Sequence, residues 1–85
     1  MASSICVYYI SLVNDYSKSG RSPLLIKHSN GISLLPTWRS KDTAVSYAKD
    51  HSITDIEIQE LTMAVYDEAK EWNSKSGYEL FLVIY

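Results

Sequence analysis

The stretch that decides the fold is Leu24-Leu25-Ile26-Lys27-His28-Ser29-Asn30-Gly31-Ile32-Ser33-Leu34-Leu35-Pro36. Two short apolar runs flank Asn30-Gly31, a dipeptide that readily takes the two positive-φ positions of a type I′ turn, so residues 24–35 read as a β-hairpin. Pro36 has no amide to give to a ladder, and the spacing therefore ends the second arm there. Ser40 then reads as an N-cap, with Asp42 in the first turn of a helix that runs to about Asp50. Ala44, Val45 and Ala48 form its buried stripe, and their small size lets the helix lie close to a sheet.

Working outward, Ile5 to Val13 is a β-branched and aromatic run that reads as the first strand. Residues 14–23 are rich in Ser, Gly, Asn, Asp and Pro and read as a loop. Residues 53–58 alternate, with Ile56 and Ile58 on one side and Asp55 and Glu57 on the other. From about Glu60 to Ser74 the period becomes helical, with Leu61, Ala64, Val65, Glu68, Ala69 and Trp72 on one stripe. Gly77 is placed to follow a helix end, and residues 78–85 form a last strand. The expected fold is α+β: a single domain over residues 1–85, in the order β-β-β-α-β-α-β. It is a two-layer sandwich, with a mixed five-stranded sheet and two helices on one face.

The first and last strands are apolar on both of their alternating faces, as strands buried on both sides are. Two helices on one face leave the other uncovered, and a large apolar patch left in water is unusual for a monomer. The expected coverings are the 14–23 loop with the tyrosines, a second copy, or another protein.

The 85 residues, 46% of them hydrophobic, suit one small globular domain with a thin margin of stability. Cys6 is the only cysteine, so no disulfide can form within the chain. In its apolar run, Cys6 reads as a small core side chain. One cysteine, an N-terminus without a signal-like basic region and no apolar run near membrane-spanning length point to a cytoplasmic protein.

Charge is split. Residues 1–50 carry six basic and three acidic side chains, and residues 51–85 two basic and seven acidic, giving +3 and −5. Asp67, Glu68 and Glu71 belong to the second half. They either form an ordinary solvated helix face, with Asp67–Lys70 and Glu71–Lys75 at supporting spacings, or meet a basic partner. Scattered basic residues and an acidic balance argue against nucleic acid.

The three glycines are isolated and make no phosphate loop, and there is no nucleophile elbow. His28 and His51 are too far apart in sequence, with one cysteine, for a recognisable zinc site. Asp55, Glu57 and Glu60 could hold a hard cation, yet alternating acids on an exposed strand need none. No cofactor, metal or catalytic residue is expected, and no membrane partner.

The run Ser33-Leu34-Leu35-Pro36-Thr37-Trp38, the helix with Ala44 and Ala48, and residues 53–58 leading into an acidic helix resemble a family of small bacterial proteins. That family carries a domain of unknown function marked by Leu-Pro-x-Trp, and more distantly the chain is similar to the N-terminal domains of SseB-like secretion-associated proteins. The resemblance spans about residues 22–85 and implies topology, with no activity to inherit.

The sequence thus leads to the expectation of a non-enzymatic protein-interaction domain, with self-association as a homodimer as one form of it. It would bind through an apolar sheet face (Tyr9, Trp38, Arg39, Phe81, Tyr85) or an acidic helix face (Asp67, Glu68, Glu71). One alternative is a small phage or mobile-element inhibitor. Another is a small-ligand or anion-binding domain around Trp38, Arg39 and the helix start at Ser40.

Overall fold

The computed structural model describes residues 6–13 and 20–85. Ile5, and residues 14–19 of the expected loop, lie outside them. The described elements are β1 (Tyr8–Val13), β2 (Arg21–Pro23), β3 (Ile26–Lys27), β4 (Ile32–Thr37), α1 (Lys41–Asp50), β5 (Ile56–Glu60), α2 (Met63–Lys75) and β6 (Glu79–Ile84). The class is α+β. In place of one five-stranded sheet there are two three-stranded sheets, ordered β2-β1-β5 and β3-β4-β6. The end of the expected loop is strand β2, and the first hairpin arm is a bent chain rather than one strand.

The split has a backbone cause. The segment from Arg21 to Lys27 serves two neighbours in turn. Its first half pairs antiparallel with β1, and the ladder extends to Leu24, whose amide donates to the carbonyl of Ile10 at 2.8 Å. Its second half pairs with β4, Ile26 against Leu34 and Lys27 against Ser33. Carried two residues further, that register would set Leu24 opposite Pro36, but Leu24 has already turned to Ile10. Beyond the gap, β1 and β4 meet directly: Tyr8 and Trp38 exchange amide–carbonyl bonds of 2.8 and 2.9 Å.

Pro36 therefore does not end the strand. It sits inside β4, fully buried and paired with Val83 of β6. Backbone groups in a strand point alternately to its two edges. Ile32 and Trp38 bond toward β3 and β1, so position 36 faces that same edge, at the gap. A residue with an amide would bury an unpaired donor there, and proline has none to bury.

The turn between β3 and β4 also differs from the expected type. Asn30 is not among the residues with positive φ; Gly31 is, at +86°. The loop is Ser29–Gly31, closed by the His28 amide on the Ile32 carbonyl at 2.8 Å. Three-residue hairpin loops of this kind place glycine last, in the left-handed region.

The two helices lie on opposite sides, so the two-layer arrangement with both on one face is corrected. Tyr9 and Ile10 are adjacent in β1 and must point to opposite faces. Tyr9 packs with Leu35, Ala69 of α2 and Leu80. Ile10 packs with Trp38 and with Ala44 and Ala48 of α1. Leu24 and Leu25 divide in the same way, one to each core. The chain path explains this. From β4 it crosses through α1 to β5, which lies beyond β1, then returns through α2 to β6 on the far side of β4. β4, β5 and β6 run in one direction, so right-handed crossovers that reverse direction place their helices on opposite faces.

Within the elements, Ser40 caps α1 as expected, its hydroxyl accepting from the Thr43 amide at 3.3 Å. Thr62 caps α2 in the same manner, so the helix starts later than the expected Glu60. The buried stripe of α2 is also rotated from the expected one. Ala64, Glu68 and Trp72 are exposed, and Asn73 is buried. Asn73 closes the helix: its carbonyl accepts the Tyr78 amide at 2.7 Å and its side-chain amide donates to the Ala69 carbonyl at 2.7 Å. Strand β5 begins at Ile56 rather than 53, because Asp55 adopts φ +57°. Ile56 and Ile58 do face the α1 core, and Glu57 is exposed.

Pro36→Val tests the split. Valine suits a strand better, yet it should lower stability by about 1–3 kcal/mol, the cost of a buried donor without an acceptor. Urea unfolding monitored by circular dichroism measures this; equal or higher stability would mean that the gap accommodates an amide.

Candidate functional site

Because α1 covers β1 and β5 on one side and α2 covers part of both sheets on the other, several large apolar side chains are left exposed together at β6. Phe81, Leu82, Ile84 and Tyr85 expose 44%, 39%, 42% and 58% of their surface. In parallel register with β4, the side chains of Leu80, Leu82 and Ile84 share the α2 side with Ser33, Leu35 and Thr37. Those of Phe81, Val83 and Tyr85 share the other side with Leu34, Pro36 and Trp38. Thr37 fixes this register by donating its hydroxyl to the Val83 carbonyl at 2.8 Å.

On the α2 side, Leu82 lines an apolar cleft of about 430 Å³ together with Val7, Leu61, Thr62, Met63 and Tyr66. It lies where α2 begins, beside the start of β1, and the Leu61 amide holds it there by donating to the Val7 carbonyl at 2.8 Å. Met63, at its lip, is exposed. On the other side Tyr85 stacks on Trp38, with ring centroids 5.7 Å apart and planes 23° from parallel. Tyr47 of α1 leans on the same indole at 4.9 Å, and His51 stacks on Tyr47 at 4.0 Å.

The expected site residues therefore divide. Phe81 and Tyr85 lie on the exposed strand as anticipated. Trp38 is buried and supports Tyr85 from beneath, while Arg39 is exposed beside it. Tyr9 is corrected: it is buried in the α2 core, and its hydroxyl donates to Gln59 Oε1 at 3.0 Å. Burial pushes the Tyr9 hydroxyl pKa above its ordinary value, and nothing of the ring is offered to a partner. Asp67, Glu68 and Glu71 are exposed on α2, with Glu71 paired to Lys75 at 3.4 Å. Leu82, Ile84 and Met63 were not among the expected residues. For Leu82 and Ile84 the signal was the two-faced apolar pattern of the last strand, whose edge position depends on topology; Met63 lies in α2, where that pattern gives no signal.

The polar candidates are tied up in structural contacts. Gln59 Nε2 donates to Glu57 Oε2 at 3.1 Å, and Arg21 Nε lies 3.2 Å from the same carboxylate while also bonding Ser11. Glu60 points the other way, accepting from Cys6, so Asp55, Glu57 and Glu60 do not converge. Among the described residues no group of His, Cys, Asp and Glu is placed to hold a metal ion. At the start of α1 the Ser40 hydroxyl is engaged by Thr43, and the apolar cleft is lined by neither Arg39 nor Ser40. Among the described residues no helix is long and apolar enough to cross a membrane.

Cys6 is corrected from core to surface. It is exposed, and its thiol donates to Glu60 Oε1 at 3.2 Å. The hydrogen bond and the charge of Glu60 raise the thiol pKa, which disfavours the reactive thiolate. Glu60→Gln removes that charge and should speed alkylation of Cys6 by iodoacetamide at pH 8. An unchanged rate would show that Glu60 does not control this thiol.

Compared with known proteins, the chain matches no family model, no curated protein and no solved structure. The functional reading accordingly rests on its own surface.

Proposed function

We propose that this chain is a non-enzymatic protein-interaction domain that binds through β6 and the apolar residues flanking it. The observation that carries this reading is the concentration of Phe81, Leu82, Ile84 and Tyr85, all substantially exposed, on β6 and the residue that follows it. Apolar side chains scattered singly over a surface need no explanation, whereas a contiguous set of large ones marks a binding site. Tyr85 is stacked on Trp38, so its ring has less freedom left to lose on binding. The acids of α2 lie on the outer surface of the helix that covers the Leu82 side of the sheet. They would bias the approach of a partner by charge rather than supply the contact itself.

Photo-crosslinking tests the reading. The full chain is expressed in cells with p-benzoylphenylalanine in place of Phe81 or, as a control, in place of the exposed Lys49 on α1. Irradiation should give a discrete protein adduct at position 81 and none at 49. No adduct at 81, or equal adducts at both positions, would overturn it.

A further inference from the structure

Strand β6 has an open edge as well as apolar faces. The amides of Glu79 and Tyr85 donate to Gly31 and Thr37 at 2.9 Å. Odd-numbered residues of β6 thus turn their backbone groups toward β4, and alternation turns those of Leu80, Leu82 and Ile84 outward. Among the described residues no strand pairs with that edge. The other edges are guarded. β2 and β3 have three and two residues, and β5 carries Glu57 and Glu60. Short strands and charges are the usual protection against edge-to-edge pairing, and β6 has neither at its centre.

We infer that the occupant of this edge is a second copy of the chain, paired antiparallel through β6 about a twofold axis at Leu82. This rests on the reading of β6 as the binding strand and names its partner. Hydrogen-bonded antiparallel pairing must set outward-facing residues against one another. With the axis at Leu82, Leu82 meets Leu82 and Leu80 meets Ile84, so all three outward residues of the strand are used, and no others. An axis one residue earlier, at Phe81, would need the Tyr78 amide opposite Ile84, but Tyr78 already donates to Asn73 at 2.7 Å.

Side chains agree with that register. On the α2 side, Leu80, Leu82 and Ile84 meet Ile84, Leu82 and Leu80 of the partner. On the other side, Phe81 meets Val83. Glu79, the one ionised side chain of the strand, falls opposite Tyr85 rather than a second Glu79. Every central cross-strand pair is apolar and no like charges face each other, the conditions under which such pairs stabilise a sheet. The same pairing covers all four exposed apolar residues of the strand and its flank at once. A twofold interface requires this self-complementarity.

Sedimentation velocity of the full chain across a hundredfold concentration range tests the inference, alongside hydrogen exchange of assigned amides. Wild type should pass from monomer to dimer, and the amides of Leu80, Leu82 and Ile84 should gain protection with concentration. Leu82→Lys sets two lysines against each other on the axis and should weaken the dimer about tenfold or more. Ile84→Lys, at a second exposed site, should act likewise, and Trp72→Ala on the exposed surface of α2 should not. Circular dichroism confirms that each variant is folded, and exchange in the wild type needs no variant. A wild type that stays monomeric with these amides unprotected overturns the second copy; a crosslinked adduct of different mass at position 81 would then leave the binding reading standing. A dimer that forms without protecting these amides also overturns it, by placing the interface elsewhere.

Discussion

The hydrogen bond from the Leu24 amide to the Ile10 carbonyl organises the molecule. It commits the first half of the segment 21–27 to β1, while the second half belongs to β4. One chain can serve two strands in succession only if those strands diverge where it crosses from one to the other. β1 and β4 do diverge there, and among the described residues their backbones bond to each other only at Tyr8 and Trp38. The gap this opens in the ladder falls at Pro36, the one residue type with no donor to lose.

Packing follows from the split. The bent segment sends Leu24 to one side and Leu25 to the other, and each meets its own helix through a separate cluster. Each cluster is small, and α1 and α2 press on the sheets with alanines, Ala44 and Ala48 in one and Ala69 in the other. Neither helix extends over the whole of β6. The strand added last, parallel to β4, is left with one bonded edge, one open edge and side chains that are only half covered. The exposed apolar surface is thus a by-product of how the chain closes, since a strand at this edge cannot be enclosed by two short helices on opposite sides.

Much of the local structure was legible in the sequence. Ser40 marked the start of α1, Gly77 followed α2 as a helix end requires, and the alternation at Ile56 and Ile58 gave the buried side of β5. The apolar pattern on both sides of residues 8–13 and 79–84 signalled strands with two demanding faces. For β1 both demands are met by helices, and for β6 they are not. What could not be read was long-range. Pro36 looked like a terminator because the gap opposite it is made by residues 10 and 24. The sides taken by the helices depended on β5 lying beyond β1, which no local pattern encodes. Trp72 outranked Asn73 on hydrophobicity, yet Asn73 is buried because its carbonyl and side-chain amide close the helix end. Of the candidate residues, Phe81 and Tyr85 are exposed at the last strand, whereas Tyr9 was assigned to an open face that α2 in fact covers.

The partner switch at Leu24 is the claim on which the rest depends, and scalar couplings across hydrogen bonds measure it directly. In a uniformly labelled sample, the Leu24 amide nitrogen should show a coupling to the carbonyl carbon of Ile10. The Trp38 amide should show one to Tyr8, the bridge on the far side of the gap. A coupling from Leu24 to the carbonyl of Pro36 would instead mean that the hairpin continues unbroken and the sheet is not split.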